Sequence, residues 1–458
     1  MKEEITILSP QGMLGYGYPL ESLEYGLSLE PDVIAVDAGS TDGGPHRLGM
    51  GIGGVSRYAT KKDLAPLIKA GKERGIPLII GSAGGSGANS RVHWLADIVH
   101  EIGLEENMTI LSAFIFSDIR RDWLKEKWLK GAVKPCGTAP ELTEERIDQT
   151  TALVAQMGID PIINALHEKP DVIIAGRAYD PVIFAALPIL YEFDEGLSFH
   201  LGKILECGAL AASPGTAKDG MIGIIRKDHF LIKPANQMRA CTEQSVAAHT
   251  LYEKSHPYLL PGPGGLLDLS GCTFKQIDGR TVKVSGSRFI RETPYTIKAE
   301  GVMRAGYRTV LVAGARDPLF ISNYEAILNK AMQDTKAFFP ELEKGEASIF
   351  IKTYGVDGVL GQLEQHDMVP AEIGIVVETI AKNQELSDSI TAYLRADLLH
   401  HDYPGRLSTS GNLALPFAPP ELSGGQAYEF SVYHTIELDE EDELFPVMYK
   451  TLGSEQNG

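Results

Sequence analysis

What most restricts how this chain folds is a pattern repeated four times: a short apolar run that ends in a polar or glycine-rich loop. The runs are Asp32–Val36, Ile76–Ile80, Met108–Phe116 and Pro170–Ala175. Bounded by turn residues, such runs read as buried strands. Amphipathic stretches at Asp63–Arg74, Ser90–Ile102, Arg121–Lys130 and Leu142–Met157 read as helices that return the chain between them. Strands alternating with helices predict a parallel sheet, because parallel neighbours need crossover connections. All four loops then fall on one edge, outside the carboxyl ends of the strands, where open α/β sheets bind ligands. The loops after Val36, Ile80, Phe116 and Ala175 are therefore expected to line one cleft.

Gly81–Asn89, GSAGGSGAN, is the most distinctive of these loops. Its four glycines leave no side chain between the backbone and a ligand, so several N–H groups can converge on one anionic group at the start of the next helix. Ser82, Ser86 and Asn89 add side-chain donors. A plain strand-to-helix turn needs only one or two glycines. The expectation is an anion site built by Ser82, Gly84, Gly85, Ser86, Gly87 and Asn89. Ser86 also sits one residue short of a GxSxG nucleophile elbow, which makes a serine hydrolase a minor reading.

Asp37 opens the loop DAGSTDGGPHRLG, which also holds Asp42, His46 and Arg47. Carboxylates and an imidazole at a strand end suit proton transfer, and a guanidinium suits a carboxylate or phosphate. Asp37, Asp42 and His46 are candidate catalytic residues, and Arg47 is a candidate substrate-binding residue. The bland alternative is that the aspartates satisfy their own turns. In Gly176-Arg177-Ala178-Tyr179-Asp180-Pro181, Arg177 is expected to bind an anion. Asp180 either joins it or caps the helix that Pro181 begins.

Upstream, strand Glu4–Leu8, glycines 12, 15 and 17 and helix Pro19–Leu29 complete a βαβ pattern. Asp37 falls about twenty residues after Gly17, where a Rossmann fold keeps its ribose-binding acid. The glycines read GxxGxG rather than GxGxxG, so a nicotinamide cofactor is a subordinate reading and the cofactor is otherwise unknown. His400 and His401 end a helix and point about 100° apart, so no metal is expected from them.

With 458 residues, two or three domains are expected. A net charge of -19 argues against nucleic acid but permits a small anionic substrate beside a local arginine. Cysteines 136, 207, 241 and 272 form no metal spacing and read as reduced thiols in a cytoplasmic protein. No signal-peptide pattern and no apolar run near the ~20 residues of a membrane span is found. Beyond residue 200 the elements read as helix Glu243–Glu253, then a Pro/Gly-rich passage at 259–270 into short β segments such as Thr281–Ser285. Strand Tyr295–Leu311, helix Leu319–Phe338, strands Ser348–Tyr354 and Glu372–Ile380, helix Leu386–His400 and strand Tyr428–Glu437 follow. The acidic run Glu437–Glu443 reads as a solvated edge. The expected class is α/β: an N-terminal parallel-sheet, Rossmann-like domain over 1–290, followed by a smaller α+β ferredoxin-like C-terminal domain over 291–458.

Several stretches together resemble the acyclic terpene utilisation (AtuA-like) family. They are Gly12-Met13-Leu14-Gly15, the loop at 81–89, AGRAYDP at 175–181, LYEKSHPYLLPG at 251–262 and GNLALPFAP at 411–419. The segment DAGSTDGGPHRLG departs from the terpene-pathway version. The resemblance implies catabolic chemistry on branched acyl-CoA esters and transfers no catalytic residue. It also implies that a small C-terminal piece is absent here or supplied by a companion subunit. The reading is a lyase- or hydratase-like enzyme acting on a small carboxylate or acyl-CoA thioester, working as a homo-oligomer. Its rivals are a non-catalytic accessory subunit and an NAD-dependent enzyme.

Overall fold

The four apolar runs are strands lying side by side. In the computed structural model, which describes residues 2–251, 256–365, 370–439 and 444–454, the chain begins β1 (Glu4–Ser9), α1 (Leu20–Ser28), β2 (Val33–Asp37), α2 (His46–Met50), α3 (Arg57–Arg74), β3 (Leu78–Gly81), α4 (Asn89–Glu105), β4 (Thr109–Ile115). It continues α5 (Arg121–Leu129), β5 (Val133–Pro135), α6 (Glu144–Gln149), β6 (Thr150–Gln156), α7 (Asp160–His167), β7 (Val172–Ala175), α8 (Val182–Leu190), α9 (Glu195–Leu205). Strands β1, β2, β3, β7 and β4 are parallel neighbours in that order.

Antiparallel strands extend this core into a mixed ten-stranded sheet. After β8 (Met221–Arg226), β9 (Phe230–Pro234) and α10 (Glu243–Thr250) come the short strands β10 (Leu259–Gly262), β11 (Gly265–Asp268), β12 (Thr273–Gln276), β13 (Val282–Ser285) and β14 (Arg288–Arg291). Order across the large sheet is β12-β13-β9-β8-β1-β2-β3-β7-β4-β19, the last strand being β19 (Val447–Gly453). Strands β10, β11 and β14 form a small sheet of their own.

Side-chain alternation assigns the two faces. Leu23 and Leu27 of α1, Leu64 and Leu67 of α3, and Leu95 and Val99 of α4 pack on Leu8, Ile34, Val36 and Ile80. Ile162 of α7, Phe184 of α8 and Leu201 of α9 pack on the opposite face, against Ile7, Ala35, Ile79 and Ile173. The chain thus runs β1-β2-β3-β4 with α1, α3 and α4 on one side, then returns to insert β7 between β3 and β4. Neighbouring strands β3 and β7 send their following helices to opposite faces. The loops after them meet at a topological switch point, the place where such sheets open a crevice.

Two groups of residues separate as units, Met1–Met303 with Phe430–Gly458, and Arg304–Glu429. The chain passes between them along β15 (Thr296–Ala315) and β18 (Glu421–Glu437). In the first unit β6 pairs with the opening of β15, Lys298 to Met303. The second unit holds α11 (Pro318–Ser322), α12 (Tyr324–Phe338), β16 (Ala347–Tyr354), β17 (Ile373–Ala381) and α13 (Gln384–His400). There β17 pairs antiparallel with both β15 and β16. Ile327 and Ala331 of α12 and Leu394 and Leu398 of α13 bury that sheet's Leu311, Ile375 and Val377. Among the described residues no helix is long and apolar enough to cross a membrane.

Several sequence-based expectations need correction. The single helix expected over Leu142–Met157 is the short α6 followed by β6. Thr143 caps α6 by accepting from the Arg146 amide at 3.3 Å. Thr150 and Thr151 then begin a β-branched stretch that pairs with β15 rather than continuing the helix. Helix Leu319–Phe338 is broken at Asn323 into α11 and α12. Of the acidic run, Glu437 and Asp439 form ion pairs with Lys134 and Lys127, and Asp439 is exposed. Residues 440–443 of that run, 252–253 of helix Glu243–Glu253 and 252–255 of LYEKSHPYLLPG lie outside the described residues.

Candidate functional site

The carboxyl edge of the parallel strands is laced together by backbone contacts. Leu14 N–H donates to the Asp37 carbonyl at 2.8 Å and Ala38 N–H to that of Gly81 at 2.9 Å. Ser82 N–H donates to Gly176 at 3.1 Å, and Arg177 N–H to Gly87 at 3.1 Å. A Cβ added at Gly39 would sit 2.0 Å from the Gly85 carbonyl oxygen, so the loops after β2 and β3 touch backbone to backbone. Loops from β1, β2, β3 and β7 therefore meet where the parallel arrangement brings them.

A buried charge network lies among them. Glu300 of β15, fully buried, accepts from Arg177 Nε at 2.9 Å and from Lys298 Nζ at 2.6 Å. Arg177 Nη1 also donates to Asp180 Oδ1, Ser82 Oγ and the Ala178 carbonyl at 3.0–3.1 Å. Lys203 of α9 pairs with Glu206. The cations outweigh the burial cost at Glu300 and hold its carboxyl down at about 2. Asp37 goes the other way. Burial first, then the negative charges of Asp180 and Glu206, raise its pKa well above 3.8, against the pull of Arg177 and the Gly39 amide. Arg177, Lys203 and Lys298 face four carboxylates, Asp37, Asp180, Glu206 and Glu300. Among these carboxyls Asp37 is the one its surroundings push toward the protonated form.

At the ends of β1 and β2 the polar groups are not all spent. Among the described residues, Asp37 Oδ1, both ends of the Gln11 amide and the Thr41 hydroxyl are buried without a hydrogen-bond partner. Gln11 lies just past the end of β1 (Glu4–Ser9), in the loop whose Leu14 amide bonds the Asp37 carbonyl. Buried polar groups without a protein partner are met by water, by a ligand or by strain.

The sequence model of acyclic terpene utilisation family protein AtuA matches residues 56–408. The chain belongs to this family. Comparisons with curated proteins and with solved structures give no match. In this AtuA-family chain the match takes in the loops after β3 and β7, whereas Gln11, Asp37 and Thr41 precede it.

The residues singled out from sequence divide into groups. Asp37, Ser82, Gly84, Gly85, Ser86, Gly87, Arg177 and Asp180 come together on the carboxyl edge. Asp42 is exposed, its amide held by Ser40 Oγ at 2.9 Å. His46 and Arg47 are half-buried on α2. Asn89 accepts from the Ser117 and Asp118 amides and clasps the end of β4. The glycine-loop amides are largely committed: those of Ser82, Ala83, Gly85 and Gly87 donate to carbonyls within the protein. The Asp118 carboxylate accepts from Asn89 N–H at 2.8 Å, so an acidic side chain of the chain itself already sits at the start of α4. Asp180 does not cap α8, whose N-cap Pro181 makes no side-chain bond; its carboxylate holds Arg177 instead. Ser86 is buried, and its hydroxyl lies 3.5 Å from the Ala88 amide. Gly15 and Gly17 direct their amides at Asp63 Oδ2, 2.9 Å from each, where a dinucleotide would set its pyrophosphate.

Gln11, Thr41, Tyr179, Lys203, Glu206, Lys298 and Glu300 escaped the sequence reading. Only Tyr179, inside AGRAYDP, and Glu300, a carboxylate in an otherwise β-like run, left a local signal. A cavity of about 780 Å³ is lined by Asp160, Glu195, Phe199, Phe289, Tyr295 and Phe445 among others. Its Glu195 is paired with Arg291, and its Phe199 ring is 6.4 Å from that of Tyr179. The orphaned polar atoms make the Asp37 cluster the candidate site.

Proposed function

We propose that this AtuA-family chain is a lyase- or hydratase-like enzyme that moves a proton on a small carboxylate or acyl-CoA thioester, with Asp37 as the acid–base group. The observation that carries the reading is the buried Asp37 Oδ1, which no protein group bonds, within a charge cluster whose Asp180 and Glu206 raise its pKa. A carboxyl kept neutral by burial and like charge holds a proton at a pH where an ordinary aspartate has none, which a general acid needs. In the hydration direction water adds its oxygen at the β carbon, Asp37 gives its proton to the carbon α to the carbonyl, and the proton released by the water returns to the Asp37 carboxylate. In the elimination direction Asp37 protonates the departing hydroxyl, which leaves as water, and takes the α proton. Arg177, anchored by Glu300, stabilises the aspartate left after transfer. The Gln11 amide and Thr41 hydroxyl orient the carbonyl or the water.

The first unit serves in this reading as a Rossmann-like platform and the Arg304–Glu429 unit as a ferredoxin-like layer, whose order β15-α12-β16-β17-α13-β18 has that pattern. The protein would work as a homo-oligomer, alone or with a small companion subunit. The test is turnover of enoyl and 3-hydroxyacyl thioesters and of their free acids by the purified chain alone. Turnover that falls by about 10²–10⁴ in Asp37→Asn supports the reading. No turnover without a second protein would favour an accessory subunit.

A further inference from the structure

Arg47 and Arg91 stand outside the charge network. Among the described residues neither is ion-paired with a carboxylate. Arg91 is 8% exposed. Its Nε donates to the Gly84 carbonyl at 3.0 Å and its Nη1 to that of Gly51 at 3.5 Å, while its Cζ lies 4.0 Å from the centre of the Trp94 ring. These neighbours fix the guanidinium but carry no negative charge, and burial is the cause that lowers its pKa. Arg47 is half-buried. Asp42, on the same loop, is exposed and forms no described ion pair with it.

The two guanidiniums border adjacent glycines, Arg91 at Gly53 and Arg47 at Gly54. A Cβ built on Gly53 would sit 2.9 Å from Arg91 Nη2, and one on Gly54 would sit 2.5 Å from Arg47 Cζ. Consecutive Cα atoms are about 3.8 Å apart, so the two guanidiniums are separated by no more than about 12 Å. The glycine loop reaches the same spot: a Cβ on Gly85 would lie 3.4 Å from Gly53 Cα. In a chain of net charge -19, two neighbouring arginines without acidic partners are a local exception. A cation withdrawn from water is costly unless a counter-charge meets it.

We propose that Arg47 and Arg91 form a phosphate-binding site beside the glycine loop. Two guanidiniums match the double charge of a phosphate better than the single charge of a carboxylate, and each presents a planar fork to its oxygens. Gly53 and Gly54 carry no side chain, so each guanidinium lies directly against the backbone there. This goes beyond the reading of Asp37 and does not depend on it.

The full-length protein is titrated calorimetrically with inorganic phosphate, pyrophosphate and acetate at constant ionic strength, with thermal melts in parallel. Phosphate and pyrophosphate are expected to bind at millimolar concentration and raise the melting temperature, and acetate is not. Tighter pyrophosphate binding marks a diphosphate-bearing ligand, and equal affinities mark a single phosphate. Arg47→Ala and Arg91→Lys should each weaken binding by roughly tenfold or more. Arg47 is partly exposed, so its variant keeps the test interpretable if Arg91→Lys folds poorly. Asp37→Asn should bind pyrophosphate like wild type whether or not it turns over substrate, which separates failure of this site from failure of the Asp37 reading. Absent binding of both phosphates, equal binding of acetate, or undiminished affinity in Arg47→Ala would overturn the proposal.

Discussion

Burying a carboxyl disfavours its ionised form, and a second carboxylate nearby disfavours it further; Asp37 meets both conditions. The sign of its effect on stability follows. With the folded pKa raised, its contribution is fully present below the unfolded value near 3.8 and is lost as pH rises through the folded value. Asp37→Asn, which stays neutral, should therefore melt no lower than wild type at neutral pH even as turnover collapses. A marked drop in melting temperature would instead make Asp37 a structural acceptor. Glu300 has the opposite sign. Lowered from 4.5 to about 2, it adds stability above 4.5 that is lost as pH falls toward 2. Glu300→Gln takes from Arg177 one of its two carboxylate partners and from Lys298 its own, so a loss of up to about 3–5 kcal/mol is expected at neutral pH. Acid melts should show a flatter limb between pH 4.5 and 2; an unchanged limb would mean that Arg177 finds its counter-charge elsewhere.

At the scale of elements, close approach of loops matters more than the strands that carry them. Gly39→Ala drives a Cβ to 2.0 Å from the Gly85 carbonyl oxygen. Backbone must move, so a loss of about 1–3 kcal/mol is expected, read as a lower denaturant midpoint at unchanged slope. Gly87→Ala adds strain twice, since its φ is +70° and its Cβ would lie 2.2 Å from Arg177 N. Strand β19 tests the sheet edge. It pairs with β4 from Val447↔Ile115 to Gly453↔Thr109, so removing it should speed hydrogen exchange at β4 amides while β2 stays protected. Uniform exchange would show that the edge adds no local protection. The parallel core was legible because each strand is a short apolar run closed by turn residues. Strand β6 was not, because its identity comes from pairing with β15, about 150 positions away, against a local pattern that also fits a helix. Glu300, Lys203 and Gln11 were hidden for the same reason: partners distant in sequence give them their roles. Arg177 was found, but Glu300, which meets its charge, was not.

The whole molecule turns a strand order into a site. Inserting β7 between β3 and β4 sends neighbouring connections to opposite faces, and the switch point collects residues from five strands and α9. If the chain is complete as a catalyst, the purified protein should turn over substrate unaided. A requirement for a second protein would move the chemistry to the assembly. What decides between a proton-transfer site and a decorated turn is the protonation state of Asp37 in the intact chain. That state is read by carbon-13 titration of aspartate carboxyls, with Asp37→Asn as the difference spectrum that assigns the signal. The expected result is a midpoint well above 3.8, with Asp37 still holding its proton where ordinary aspartates have lost theirs. A midpoint at or below 3.8 would contradict it and leave Asp37 an ionised turn residue.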